Sequence, residues 1–121
     1  MGNFVRGIRG AITVNNNTVI EIAEATQELL QVMVKQNEVK PEDIASVIFT
    51  VTSDLNAGFP AAAARQMGWY HVPMMGAVET NVPGSLEKCI RILMHINTSK
   101  SQTQIKHVYL RKAVQLRRDI K

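Results

Sequence analysis

The residues from Phe4 to Val14 alternate in character one by one, and this pattern predicts a β-strand with two unlike faces. One face carries Val5, Gly7, Arg9, Ala11 and Thr13, and the other carries Phe4, Arg6, Ile8, Gly10 and Ile12. Arg9 lies beside small side chains on its own face, which leaves room for a ligand next to its guanidinium. The strand also starts an alternation of strand and helix patterns that continues through the chain.

A long amphipathic helix is predicted directly after this strand. Residues 15–17 form a turn, Thr18 can cap the helix, and the helical pattern continues to about Glu38. The apolar residues at helical spacing are Ile22, Leu29, Leu30 and Met33. A short helical turn at residues 40–43 follows, and then a β-branched run at residues 47–52 that is typical of a buried strand.

The second half of the chain repeats the alternation with shorter elements. Pro60 can begin a short helix that Gly68 ends, and residues 69–78 read as a strand interrupted by Pro73. A helix is predicted to open at residues 84–85, because Leu86, Ile90, Leu93 and Met94 share one helical face. Residues 98–103 are a polar loop, and residues 104–110 form the last strand. The order of elements predicts an α+β or α/β domain, with a mixed sheet and helices.

Composition narrows the class of protein. The 121 residues, 45% of them hydrophobic, suit a single domain over residues 1–121 that gains from oligomerisation, with residues 112–121 expected to form a mobile tail. The net charge is +4, but the aromatic content of 5% argues against a nucleic-acid partner. No long apolar run or leader pattern is present, so we expect a cytoplasmic protein without a membrane partner.

Arginines within apolar runs are the main candidates for chemistry. They occur near both ends of the chain and at Arg91, and a guanidinium binds carboxylates through its planar fork. Helical spacing would let Arg91 pair with Glu87 at the surface, which is the simpler interpretation of that residue. Glu79 is either a solvated loop carboxylate or an acceptor for a substrate hydroxyl, and Tyr109 has the pattern of a core residue with its hydroxyl at the rim.

Metal and nucleophile chemistry are disfavoured. The three histidines, at positions 71, 95 and 107, lack the spacing of a metal site, and the lone Cys89 excludes an intramolecular disulfide and any multi-cysteine site. Cys89 is expected to be a small buried residue on a helix face. The residues alone therefore predict an anion-binding domain of mixed α and β structure.

Seven short motifs in order along the chain resemble those of the small, trimeric, AroH-type chorismate mutases. They are Arg6-Gly7-Ile8-Arg9-Gly10-Ala11, Phe59-Pro60-Ala61 with Arg65, Val72-Pro73, Glu79, Cys89-Ile90-Arg91, His107-Val108-Tyr109-Leu110 and Leu116-Arg117. The resemblance implies a pseudo-α/β-barrel homotrimer with active sites in the clefts between subunits. It also implies rearrangement of chorismate to prephenate in aromatic amino-acid biosynthesis, without a cofactor or a metal.

The same resemblance implies a role for each matching residue. Arg91 would stabilise the ether oxygen, Arg9 with Tyr109 would hold a carboxylate, and Glu79 would accept from the ring hydroxyl. The substrate-binding group would comprise Phe59, Ala61, Arg65, Met74, Met75, Gly76, Leu116 and Arg117. One side of the cleft would be formed by Phe59, Ala61, Arg65, Met74 and Met75 of one subunit. Arg9, Glu79, Arg91, Tyr109, Leu116 and Arg117 would come from its neighbour.

Three positions depart from the family pattern. Gly76 replaces a small polar side chain, Ala62 replaces a lysine found in some members, and Arg118 replaces a proline that often follows the arginine matching Arg117. These changes motivate an alternative function, a trimeric small-anion-binding or regulatory protein with little turnover. A nucleic-acid-binding module that uses the basic C-terminal residues is the remaining alternative.

Overall fold

The computed structural model describes residues 3–117, which form a five-stranded mixed sheet with helices. The strands are β1 (Phe4–Thr13), β2 (Ile44–Val51), β3 (Met74–Val78), β4 (Cys89–Thr98) and β5 (Val108–Tyr109), in the order β3-β2-β4-β1-β5. β4 pairs antiparallel with β1 and with β2, whereas β3 and β5 are parallel edge strands. The fold class is α+β, as the alternation of elements predicts.

Within residues 3–117, two α-helices and three short 3₁₀ segments complete the fold. The helices are α1 (Val19–Asn37) and α2 (Pro60–Gln66), and the 3₁₀ segments are Pro41–Asp43, Gln102–Gln104 and Arg111–Arg117. The predicted start of α1 is confirmed, because the Thr18 hydroxyl accepts the backbone N–H of Glu21 at 3.1 Å. No helix within residues 3–117 has the length and hydrophobicity needed to cross a membrane.

One face of the sheet forms the hydrophobic core with α1 and α2. Its central residues are completely or almost completely buried, namely Ile8, Ile12, Val47, Phe49, Ile90, Ile92, Met94 and Ile96. Gly10 allows α1 to approach β1 closely, because a Cβ at this position would lie 2.5 Å from Met33 Sδ. We call this face of the sheet the core face.

The opposite face, which we call the open face, is covered only at one end by the part of the chain that the structure describes. There the C-terminal 3₁₀ helix (Arg111–Arg117) packs Ala113 against Ala11 and Cys89. Elsewhere apolar side chains of this face meet solvent, with Val5 61% exposed and Met75 68% exposed. A sheet with one dry face and one partly bare face leaves apolar surface for a further partner.

The helix predicted to open at residues 84–85 is wrong, because residues 89–98 form strand β4. Residues 86, 90, 93 and 94 fit a helical period, but residues 90, 92, 94 and 96 fit the period of a strand and are all buried. Pairing with both β1 and β2 decides between the two periods. Cys89 is buried as expected, although on a strand, and Arg91 has no helical spacing to Glu87.

Two other strand predictions are too long. Residues 69–73 form a turn, so β3 begins only at Met74, and the last strand is limited to Val108–Tyr109. Pro73 precedes β3, and its carbonyl accepts the backbone N–H of Val47 at 2.9 Å. The predicted tail at 112–121 is a 3₁₀ helix as far as Arg117, and the rest of it lies outside the described residues.

Candidate active site

A cavity of about 360 Å³ lies between the open face and the C-terminal 3₁₀ helix. The strand register builds it, because Thr50 of β2, Arg91 of β4, Ala11 of β1 and Tyr109 of β5 are aligned across the sheet. Arg9 lies two residues before Ala11 on the same face of β1. Four strands thus place a row of side chains in one pocket.

Glu79 directly follows β3 and closes one side of the pocket. Glu79 Oε2 accepts a hydrogen bond from the Thr50 hydroxyl at 3.0 Å, and Oε1 accepts one from the Thr80 backbone N–H at 3.0 Å. Arg91 Nε lies 3.5 Å from Oε2. The pKa of Glu79 is lowered below its ordinary value of 4.5, first by the Thr80 N–H and then by Thr50, Arg91 and Arg9. The carboxylate is therefore ionised at neutral pH, and it can accept a hydrogen bond but not donate one.

Two buried polar atoms in this pocket lack a hydrogen-bond partner among the described residues. They are Arg91 Nε and the Tyr109 hydroxyl. The Arg91 side chain remains 27% exposed, so its guanidinium is accessible from the pocket. An unmade hydrogen bond at a buried polar atom costs about 1–3 kcal/mol, and a bound ligand that supplied the partner would recover this energy.

Arg9 completes the charge pattern of the pocket. It makes no ion pair within 4.0 Å to a carboxylate of residues 3–117, so its guanidinium is available to a ligand. Its backbone N–H donates to His107 Nδ1 at 2.9 Å. With Arg9 and Arg91 against Glu79, the pocket carries a net positive charge that suits an anionic ligand.

The structure brings together only part of the predicted site. Leu116 lines the pocket with Arg9, Glu79, Arg91 and Tyr109, whereas Arg117 lines a neighbouring cavity of about 280 Å³ with Tyr109. The remaining candidates, on α2 and β3, do not line the pocket: Phe59, Ala61, Arg65, Met74, Met75 and Gly76. Phe59 is 79% exposed at the start of α2.

Sequence reasoning missed Thr50, Thr80 and His107, which support the charged residues. The β-branched run at residues 47–52 predicts a buried strand, but Thr50 points to the open face and donates a hydrogen bond to Glu79. Alternation along β2 could have revealed it, because Ser46 and Thr50 are polar residues on the face opposite the buried Val47 and Phe49. Thr80 acts through its backbone, so its side-chain type gives no signal.

Metal-binding and thiol chemistry have little basis among the described residues. Within residues 3–117, no group of three or more His, Cys, Asp or Glu side chains could hold a metal ion. Burial raises the pKa of the Cys89 thiol above its ordinary value of 9.0, so this side chain stays protonated at neutral pH. The chemistry of the pocket thus depends on two guanidiniums, a carboxylate and a phenol.

The fold and this pocket belong to a family of isomerases. The model of the chorismate mutase type I family matches residues 5–120, and the chain is therefore a member of that family. The chain is 52% identical over 118 residues to chorismate mutase AroH of Thermus thermophilus, which covers 97% of this chain and 97% of that protein. It is 46% identical over 118 residues to chorismate mutase AroH of Bacillus subtilis (strain 168), covering 97% and 93%.

A solved structure agrees with these relatives. A chorismate mutase from Clostridium thermocellum superposes with a TM-score of 0.88 at 56% sequence identity, covering 88% of this chain and 96% of that one. The family resemblance seen in the motifs is thereby confirmed. The mixed sheet with β4 at its centre is the fold of a chorismate mutase.

Proposed function

We propose that this protein is an isomerase that rearranges chorismate to prephenate, and that the pocket between the open face and the C-terminal 3₁₀ helix is where it does so. The observation that carries the assignment is the geometry around Arg91. Its Nε is buried without a hydrogen-bond partner among residues 3–117, yet it is held 3.5 Å from Oε2 of the ionised Glu79. This arrangement supplies a fixed cation with an unused donor.

The reaction needs little beyond such an arrangement. In an intramolecular [3,3] rearrangement an ether C–O bond breaks while a C–C bond forms, and no proton, hydride or external nucleophile is transferred. Negative charge grows on the ether oxygen as the C–O bond lengthens, and a preorganised cation stabilises it. Holding the enolpyruvyl arm over the ring supplies the remaining acceleration by restricting conformation.

Each charged residue has a part in this scheme. Arg91 donates to the ether oxygen, Arg9 and Tyr109 hold the side-chain carboxylate, and Glu79 accepts the ring hydroxyl. A rate acceleration of about 10⁶ corresponds to roughly 8 kcal/mol, which two or three charged contacts of about 3 kcal/mol each can supply. Leu116 provides an apolar wall, and Arg117, which lines the neighbouring cavity, adds positive charge that attracts the dianion.

We further propose a cytoplasmic homotrimer with shared active sites. The open face leaves Val5 and Met75 largely exposed, and a second copy of the chain would bury this surface. The exposed Phe59, with Ala61, Arg65, Met74, Met75 and Gly76, would then complete the pocket of a neighbouring subunit. This assignment accounts for why these residues lie outside the pocket of their own chain.

The test of the activity is direct. Purified protein should consume chorismate, which is measured as a loss of chorismate absorbance. It should also form prephenate, which is identified by chromatography. Saturable chorismate binding without turnover would instead support the small-anion-binding alternative. That alternative has one structural point in its favour, because Gly76 offers the substrate no side chain and its nearest neighbour for a Cβ is Phe49 O at 4.0 Å.

Mixing two defective variants tests the shared site. In a homotrimer of Arg65→Ala or of Arg91→Ala, cyclic symmetry repeats the defect at all interfaces. When the two variants are refolded together in equal amounts, about a quarter of the interfaces should pair an intact Arg65 with an intact Arg91. Activity should then exceed that of both parents.

The control for this experiment is mass spectrometry of the mixed trimers, which verifies that subunits have exchanged. Exchange without any gain in activity would show that each site lies within one chain. If Arg65→Ala retains too much activity, Phe59→Arg is a blunter variant of the same side of the pocket.

A further inference from the structure

His107 makes a contact that the proposed mechanism does not use. Its Nδ1 lies 2.9 Å from the Arg9 backbone nitrogen and accepts that N–H. β5 begins only at the next residue, where Val108 pairs with Gly10 and Tyr109 pairs with Ala11. The imidazole therefore occupies the place that a backbone carbonyl would take if the ladder between β1 and β5 were one residue longer.

We infer that His107 is a positioning residue for the reaction. Its neutral imidazole fixes the backbone of β1 at Arg9, the residue whose side chain reaches the substrate carboxylate. This inference rests on the proposed function of the pocket. Tyr109 lies on β5, which pairs with this side of β1, and the next residue, Leu110, donates its N–H to Ala11 O at 2.9 Å. One short parallel ladder thus holds both carboxylate-binding residues, and His107 closes its open end.

The role requires a particular protonation state. An acceptor at Nδ1 must carry no proton, so the neutral ring holds its proton at Nε2, whereas the imidazolium has N–H donors at both positions. Protonation would place two N–H groups against each other and release Arg9 from the ladder. His107 is thus a hydrogen-bond acceptor that is lost when the ring is protonated, so its role should appear as a pH dependence of substrate binding.

The surroundings of His107 favour the neutral ring. Burial lowers its pKa below the ordinary value of 6.5, and the positive charges of Arg9 on β1 and Arg117 on the C-terminal 3₁₀ helix lower it further. The nearby helix α1 contributes Gln36, an uncharged side chain, to the cavity of about 280 Å³ that His107 and Arg117 also line. At neutral pH the imidazole is therefore an acceptor, and it protonates only as the pH falls below 6.5.

Two variants separate the acceptor from the ring. His107→Asn keeps an oxygen that can accept the Arg9 N–H but does not titrate, and His107→Leu removes the acceptor while keeping an apolar group of similar reach. At about pH 8 we expect His107→Asn to keep kcat/KM within about threefold, because one hydrogen bond is retained. His107→Leu should lose roughly tenfold in kcat/KM, mainly through KM, since Arg9 binds the substrate in both ground and transition states.

The pH profile gives a readout that a merely structural role would not move. Between about pH 5 and pH 8 the wild-type enzyme should lose kcat/KM on the acidic side while kcat stays nearly level. His107→Asn should lack this acidic limb. Glu79 does not contribute there, because its pKa lies below 4.5. His71→Leu, a change of an exposed histidine in the turn before β3, is the matched control and should behave as wild type.

The ring itself can be observed without turnover. Nitrogen-15 NMR of the histidine side chains should show His107 as the Nε2–H tautomer at about pH 8, and the affinity for the product prephenate, measured by calorimetry, should follow the order wild type, His107→Asn, His107→Leu. If chorismate is not turned over, the proposed function falls while these two measurements still decide the role of His107.

Three results would overturn the inference: an Nδ1–H tautomer, full activity of His107→Leu, or an acidic limb that persists in His107→Asn. If the Leu variant does not fold, the Asn profile and the tautomer decide the question alone.

Discussion

The two faces of the sheet have different roles, although the same strands form both: one face packs the hydrophobic core and the other carries the pocket. The core face buries Ile8, Phe49 and Met94 to within 1% of complete burial and is apolar along its centre. The open face carries Arg9, Thr50 and Arg91 in the same strands, one residue out of phase. Stability and chemistry are thus separated by the direction of a side chain, and substitutions at neighbouring positions should have unlike effects.

The largest effect is expected on the core face. Phe49→Ala leaves a cavity beneath α1 and α2 and should lower the free energy of unfolding by about 3–5 kcal/mol. The protein that remains folded should retain most of its kcat, because the Phe49 side chain points away from the pocket. Denaturant unfolding and steady-state kinetics on one preparation check both parts. Ile20→Ala, at an exposed position of α1, is the control and should stay within about 0.5 kcal/mol.

The open face should give the opposite result. Arg91→Ala should lower kcat by about 10² or more, equivalent to roughly 3 kcal/mol of transition-state stabilisation, with a much smaller change in unfolding free energy. Arg6→Ala is a matched control, because Arg6 lies on β1 outside the pocket and contacts Phe4 and Lys100. Near-normal kcat in folded Arg91→Ala would remove Arg91 from the mechanism.

Thr50→Val tests a residue that supports the charge without carrying it. The change keeps the side-chain shape but removes the hydroxyl that donates to Glu79 at 3.0 Å, at a cost of about 1 kcal/mol in kcat/KM. The pKa of Glu79 should rise, because a hydrogen bond to its ionised form is lost. Titration of the Glu79 carboxyl by carbon-13 NMR checks the direction, and an unchanged pKa would contradict this role.

The smallest effect is expected at Gly76. Its φ is not in the left-handed region and its nearest neighbour for a Cβ is Phe49 O at 4.0 Å, so a side chain fits without strain. Gly76→Ser should be neutral or mildly improving in kcat/KM if it restores a polar contact with substrate. Kinetics at saturating and limiting chorismate measure the effect, and a large loss would mean that the pocket needs this space empty.

Sequence patterns predicted the core face better than the open face. The capped helix α1 and the strand β1 follow from periodicity and Thr18, because a local pattern and the global fold agree there. β4 was misjudged because two periods overlap in its apolar residues, and only pairing with β1 and β2 distinguishes them. Hydrophobic periodicity thus predicts which residues are buried, but it does not always distinguish a helix from a strand.

The pocket depended on the family resemblance more than on pattern. Arg9, Glu79, Arg91 and Tyr109 come from distant parts of the chain, and strand register alone brings them to one place. The helical interpretation paired Arg91 with Glu87, whereas the sheet places it beside Glu79. Thr80 acts through its own backbone N–H, whereas the His107 side chain accepts the backbone N–H of Arg9. Neither contact is visible in the local sequence pattern. The assignment of six residues to the site of a neighbouring subunit remains a prediction, namely Phe59, Ala61, Arg65, Met74, Met75 and Gly76.

The central position of β4 also sets how the pocket responds to fluctuation. Amides of a strand that is bonded on both sides exchange with solvent mainly through opening of the whole domain, whereas short terminal segments open locally. Arg91 therefore lies on one of the most protected elements, and Leu116 lies on a 3₁₀ segment that closes only one end of the open face. We expect local opening at this end of the pocket to start in that 3₁₀ segment, while the Arg91 cation keeps its place until the domain itself unfolds.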